Sequence, residues 1–318
     1  MQQHRVPLLI TWDVDPDFWL PLEVRHHGLD TAVSLCHSLG IRATFYFTAA
    51  GAHLYPERMK TLQSQGHEIG CHGLTHGDEE DYDRMSPDLQ DAYIAQATEK
   101  LSTFAGATLR AFRSPRVKTS AHTLKRLGEY GYWTDSSVCS QRMDLISSNL
   151  INVNWLRAPR RAYHPHRENA FKPGDLPIWE VPVSAAGLPF ISAVLNALGP
   201  VVMKGLFRLL YAESRLTGKP IVYLAHPVEF RQRKKPNQAQ KKQRGIPYLN
   251  RRFLSPSFIR THGFRIRKLL YRTDGQELLA NTRELFSFML SFPGIVPVTA
   301  SEYAIQYLQA EPTLRGKP

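Results

Sequence analysis

Short apolar runs alternate along the chain with longer stretches in which apolar residues recur at helical spacing. "PLLITW" (7–12) reads as a strand, and "GLDTAVSLCHSLG" (28–40) as a helix closed by Gly40. "RATFYFTA" (42–49) is a second strand, rich in aromatics. "YPERMKTLQSQG" (55–66) is a helix stopped by Gly66, and "HEIGCH" (67–72) a third strand. The next helix, 86–106, opens on Ser86 as N-cap with Pro87 in its first turn and ends in Gly106. "LRAFRSP" (109–115) and "YWTDSSV" (132–138) flank a further helix, "SAHTLKRLGEYG" (120–131). "IWEVPVS" (178–184), "PIVYLAHP" (220–227) and "GIVPVT" (294–299) are later strands, and a helix from Ser301 closes the chain. Seven or eight strands separated by helices predict an α/β fold, a distorted (β/α)7-8 barrel in one domain over 1–318. In such barrels the chemistry sits where strands end and loops begin.

Two segments break the alternation. Residues 185–203 carry no charge, but Pro189, Gly199 and Pro200 interrupt them and Asn196 is polar. Buried or substrate-covering structure and membrane contact are both open for this run. The second segment emerges from the charge. The chain has a net charge of +12, yet residues 231–272 alone hold fourteen Lys or Arg and no acid, leaving the remainder at −2. The basicity therefore belongs to one insertion before the last elements, not to the fold. It has no zinc-finger, helix-turn-helix or RNA-recognition signature, which disfavours nucleic acid as the partner. Three widely spaced cysteines (Cys36, Cys71, Cys139) argue against a disulfide framework and for a reducing compartment.

The polar clusters fall at the predicted strand ends. "TWDVD" (11–15) places Asp13 and Asp15 two residues apart, the spacing that points both side chains the same way from a strand. "HGLTH" (72–76) gives His72 and His76 at i, i+4, which predicts two imidazoles on one side of a helical turn. Two histidines and a carboxylate are a common donor set for a divalent catalytic metal. "FRSPR" (112–116) supplies Arg113, a cation able to keep a carboxylate ionised, and "LAHP" supplies His226, a general acid titrating near neutral pH. "TDSS" (134–137) supplies Asp135, a partner for His226 or a turn cap. Asp17 is expected to cap the following turn, and the acidic run "DEEDYD" (78–83) to be a solvated loop. Trp12, Phe45, Tyr46, Phe47 and Trp133 are expected in the core.

In order and spacing, "TWDVD", "HGLTH", "FRSPR", "TDSS" and "YLAHP" (223–227) resemble the five motifs of the NodB-homology polysaccharide deacetylases, carbohydrate esterase family four. The similarity is to a divergent branch with D-x-D in its first motif, since Val14 separates the aspartates. Arg116 stands where the family usually has Tyr, and Cys139 where it usually has Trp. The resemblance implies a divalent metal, usually Zn2+, on Asp15, His72 and His76. It further implies Asp13 as general base, His226 as general acid, Arg113 orienting Asp13, and Asp135 supporting His226. The oxyanion would meet the metal and a backbone N–H near Arg116.

The reaction so implied is hydrolytic removal of an N-acyl group, acetyl foremost, from a sugar. "MQQHRVPLLITWDVDPD" has only a four-residue apolar run before charges begin, so a cytoplasmic location is expected. An enzyme there would meet a biosynthetic intermediate of envelope glycan or glycolipid. The 231–272 insertion suggests peripheral contact with the inner face of the membrane. A deformylase of a lipid-linked amino sugar, and a non-catalytic sugar- or nucleic-acid-binding relative, stay open as alternatives.

Overall fold

A computed structural model describes residues 5–142, 153–231 and 274–309. The basic insertion therefore lies outside the described residues except for Arg231.

The chain opens with β1 (Val6–Val14), α1 (Leu22–Ser38), β2 (Thr44–Phe47), a single turn α2 (Ala49–Ala52) and α3 (Pro56–Ser64). It continues through β3 (Glu68–Cys71), α4 (Pro87–Ala105), β4 (Ala111–Phe112), α5 (Ala121–Glu129) and β5 (Thr134–Asp135). After α6 (Val153–Arg157) come a hairpin of β6 (Pro165–His166) and β7 (Asn169–Pro173), then β8 (Trp179–Glu180). A second small hairpin, β9 (Ala185–Ala186) and β10 (Leu188–Pro189), leads into the long α7 (Ser192–Thr217). The chain ends with β11 (Ile221–Ala225), α8 (Gly275–Leu290), β12 (Ile295–Pro297) and α9 (Ala300–Leu308).

The eight-stranded sheet is parallel throughout, in the order β11-β1-β2-β3-β4-β5-β8, with β12 also pairing β1. β1 is the hub: Leu8–Trp12 pair one side with β11, while Val6–Leu8 pair β12 and Thr11–Val14 pair β2 on the other. All nine β1 residues are buried, as a central parallel strand requires. Between β8 and β11 the ladder is interrupted. Residues 183–191 bridge the gap through Ser184 N–H to Val222 O at 3.1 Å and an isolated bridge from Ile191 to Leu224. The result is the distorted, incompletely closed barrel that the sequence predicts.

Local chemistry explains the helix limits. Ser86 accepts from the N–H of Leu89, and Gly106 takes φ +61°, the left-handed cap that a side chain disfavours. The charge-free run 185–203 folds as β9, β10 and the first turns of α7, where Gly199 at φ +78° and Pro200 kink the helix. The sequence does not reveal the continuation to Thr217, because the 3.6-residue pattern restarts after the kink. Both small hairpins also escape it, since β6, β9 and β10 are two residues each, too short for a periodic signal. Trp12, Phe45, Tyr46 and Phe47 are fully buried core residues, whereas Trp133 is only partly buried and lies under Arg110 at 4.8 Å.

One buried histidine couples this core to pH. His67 is 6% exposed, accepts the Ala43 N–H at Nδ1 (3.1 Å) and meets the edge of Phe45. Burial, with a smaller contribution from His37, pushes its pKa from 6.5 down to about 4. The unfolded chain therefore takes up a proton that the folded chain refuses. Stability from this site is full above pH 6.5 and declines as the pH falls toward 4, by about 2 kcal/mol at pH 5. Urea unfolding at pH 7 and pH 5 checks this: the loss should be smaller in His67→Gln than in wild type by that amount.

Candidate active site

The functional side chains gather at the carboxyl ends of β1, β3, β4 and β11. Residues two apart on a strand share a face, and the end of β1 accordingly sends Asp13 and Asp15 to the same side. Asp13 is 4% exposed, and Asp15 directly follows the strand. Arg113, directly after β4, is fully buried and holds Asp13. Its Nη1 donates to Asp13 Oδ1 at 2.7 Å and to Thr11 Oγ1 at 2.9 Å, while Nε and Nη2 donate to Ser136 O and Ser136 Oγ, both at 2.9 Å. The guanidinium also lies over the Tyr46 ring at 4.5 Å. A buried cation with this many partners is fixed in place, and so is the carboxylate it grips.

Asp13 Oδ2 faces the histidines, 3.8 Å from His72 Nε2. Asp15 Oδ1 lies 3.4 Å from His72 Nε2 and 3.5 Å from His76 Nε2. These three ligand atoms all fall within 4.8 Å of one another. Asp15 Oδ1 is buried without a hydrogen-bond partner, and His72 Nδ1 is 2.8 Å from the Arg113 carbonyl. An Nδ1–H donated to that carbonyl leaves the Nε2 lone pair facing Asp15, the tautomer a metal-binding imidazole needs. The donor set therefore fits a divalent cation. Burial alone would raise the Asp15 pKa, but His76, His72 and His226 outweigh it and hold the carboxyl well below the usual carboxylate range.

His72 and His76 do not lie on a helical turn as their spacing predicts. Residues 72–76 are an irregular loop, with Gly73 at φ +76° and His76 at φ +57°. A Cβ at Gly73 would sit 2.4 Å from Glu80 Oε1, so the loop needs glycine there on both counts. What shapes the loop is Glu80. Its carboxylate is fully buried and accepts the backbone N–H groups of Leu74, Thr75 and His76 at 2.7, 2.6 and 2.7 Å, with the Tyr82 hydroxyl at 3.0 Å. Asp81, also buried, accepts from Arg116 Nε at 2.8 Å and Lys118 Nζ at 2.5 Å. Arg116 completes the clamp on the carbonyls of His76, Gly77 and Glu80. The run "DEEDYD" is therefore not simply a solvated loop: two of its acids are internal ties. Charge patterning alone cannot show this, since the donors to Glu80 are mostly backbone N–H groups and those to Asp81 lie more than thirty residues away in sequence. Glu80→Gln replaces one acceptor oxygen by a donor and should weaken divalent metal affinity about ten- to hundredfold, as loss of an outer tie to a ligand does. Calorimetric titration with Zn2+ checks it; unchanged affinity would mean that the loop holds its shape without the carboxylate.

His226 follows β11 and is partly exposed at the rim. Burial lowers its pKa, but Asp15, Glu229 and Asp13 more than offset this and raise it above the ordinary value. The acid on its own turn is Glu229, with Oε1 3.8 Å from His226 Nδ1. Asp135 does not take the supporting place expected for it. It is fully buried in β5, accepts from Ser137 Oγ at 2.7 Å and stands in register with Glu180 of β8, also fully buried. One oxygen of each carboxyl has no hydrogen-bond partner, and burial raises both pKa values, Glu180's well above normal, which favours a neutral carboxyl at this pair. Ser137 Oγ accepts the Ser114 N–H at 2.8 Å, tying this pair to the loop that carries Arg113. The sequence does not point to Glu180, because the β5–β8 register is a long-range pairing.

Asp17 accepts from Trp19 Nε1 at 3.0 Å and its carbonyl accepts the Leu20 N–H, the turn-closing place expected of it. Burial and the neighbouring Asp15 raise its pKa to about 6.

Residues 2–134 match the polysaccharide deacetylase family model. That part of the chain is similar to a polysaccharide deacetylase domain. The match includes the segments of Asp13, Asp15, His72, His76 and Arg113 and stops one residue before Asp135. Solved structures extend the likeness, in fold alone, over the whole chain. A Mycobacterium smegmatis protein assigned as a polysaccharide deacetylase is 16% identical, with 100% of this chain and 96% of that one covered at a TM-score of 0.61. A Pseudomonas aeruginosa PAO1 protein assigned likewise is 12% identical, with 97% and 93% covered at 0.59. The allantoinase PuuE is also 12% identical, with 98% and 93% covered at 0.59. One fold thus serves proteins with differently assigned activities, and the fold does not by itself choose the substrate.

Proposed function

We propose that the protein is a metal-dependent hydrolase that removes an N-acyl group, acetyl foremost, from a sugar. One observation supports this above the others: a carboxylate locked by a buried arginine stands beside a two-histidine, one-aspartate donor set. Asp15, His72 and His76 would hold the cation. A divalent ion there would acidify water and polarise the acyl carbonyl. Arg113 occupies Oδ1 of Asp13 and leaves Oδ2 toward the histidines, so Oδ2 takes the proton of the attacking water. His226, its proton favoured by Asp15 and Glu229, gives one to the nitrogen as the acyl C–N bond breaks. Free acid and amine result. A backbone N–H near Arg116 would assist at the oxyanion.

We further propose a biosynthetic glycan or glycolipid intermediate as substrate, met on the cytoplasmic side of a membrane. The three buried cysteines, which remain thiols, support a reducing compartment. Acetate and formate release from N-acetylated and N-formylated amino sugars, with and without chelator, tests the reaction and its acyl group. Release that chelator leaves untouched would refute metal dependence.

A further inference from the structure

α7 is committed to the barrel on one side only. Leu195, Met203, Leu206, Phe207, Leu210 and Ser214 are buried. On the opposite side Val201 is 81% exposed, Leu209 63% and Leu216 85%. After the kink at Gly199, residues 201, 202, 205, 209, 212 and 216 fall within an arc of about 100° at helical spacing. That arc reads Val, Val, Gly, Leu, Ala, Leu, and nothing in it is polar. Soluble surfaces scatter single aliphatic residues but rarely align them along a helix.

The edges of the stripe are charged in a particular way. Arg208 and Arg215 line one edge and are exposed. On the other edge the only acid, Glu213, is neutralised by Arg160 and Lys219, both at 2.5 Å. The face is therefore aliphatic with cations beside it and no uncompensated anion. Protein-binding hot spots favour Trp and Tyr, which this face lacks. Interfacial helices combine aliphatic faces with basic flanks. The helix is apolar enough to cross a bilayer, but its buried side packs on β11 and α8, so it lies along a surface and does not span.

We infer that the exposed face of α7 docks on an anionic lipid bilayer. Its amino-terminal end stands at the site mouth, because Ile191 bridges Leu224, two residues before His226. Val201 and Val202 would thus enter the lipid nearest the catalytic opening. Where the described chain leaves at Arg231 and returns at Asp274, the intervening sequence is strongly basic, the charge such a surface attracts. Docking does not depend on the hydrolase reading and is tested without turnover.

The test is flotation of full-length protein with phosphatidylcholine vesicles containing roughly a third phosphatidylglycerol. Wild type is compared with the combined variant Val201→Ser, Leu209→Ser, Leu216→Ser, whose fold is checked by circular dichroism and whose mass is checked by light scattering. The expected result is wild-type binding that falls at least tenfold in the variant, and a weaker, salt-dependent loss in Arg208→Gln with Arg215→Gln. Equal binding of variant and wild type would overturn the inference. So would a wild type that stays off the vesicles, whether as a monomer or as a dimer that the serines dissociate; the dimer would assign the face to a second copy.

Discussion

Asp13→Asn should lower turnover of an N-acylated sugar by about 10²–10⁴-fold, the range for losing a general base, with metal content unchanged. The amide keeps the shape of the carboxylate, and its oxygen still accepts from Arg113 Nη1. What disappears is the proton acceptor at the position of Oδ2, which faces His72. Because Asp13 is not among the three clustered ligands, the cation should stay. Steady-state kcat beside metal analysis of the same sample checks both halves. Turnover within tenfold of wild type would place the base elsewhere.

The largest effect on stability is expected from Arg113→Met. The guanidinium is fully buried and pairs with an almost fully buried aspartate, so removing it leaves Asp13 charged without its cation and strands Ser136 O. Breaking one side of a buried pair costs about 3–5 kcal/mol, far more than an exposed pair contributes. Urea unfolding should show that loss. Adding Asp13→Asn to Arg113→Met should return part of it, because the second change removes the uncompensated charge. A double variant less stable than Arg113→Met alone would show that the Asp13 charge is not the source of the cost.

Much of this site is legible in the sequence because strand ends announce themselves. An apolar run stopping at Asp13 and Asp15, and others stopping at His72, Arg113 and His226, mark the carboxyl edge of a parallel sheet. What stays hidden is whatever depends on partners distant in sequence or on backbone donors. His72 and His76 have helical spacing but sit on a loop, because Glu80 takes up the N–H groups that a helix would have directed at carbonyls. Asp135 sits at a strand end like the others, yet strand register gives it Glu180 as its partner, and the acid beside His226 is Glu229. The exposed stripe on α7 is hidden for a related reason: apolar residues in a helix read as core until the packing shows which side the barrel uses.

The most direct test of the proposed centre is the metal content of the purified protein, measured together with N-acyl sugar hydrolysis for wild type and His76→Ala. One divalent ion per chain in wild type, lost along with turnover in His76→Ala, is the expected result. Wild type that hydrolyses the amide in excess chelator, or His76→Ala that retains both ion and activity, would contradict it.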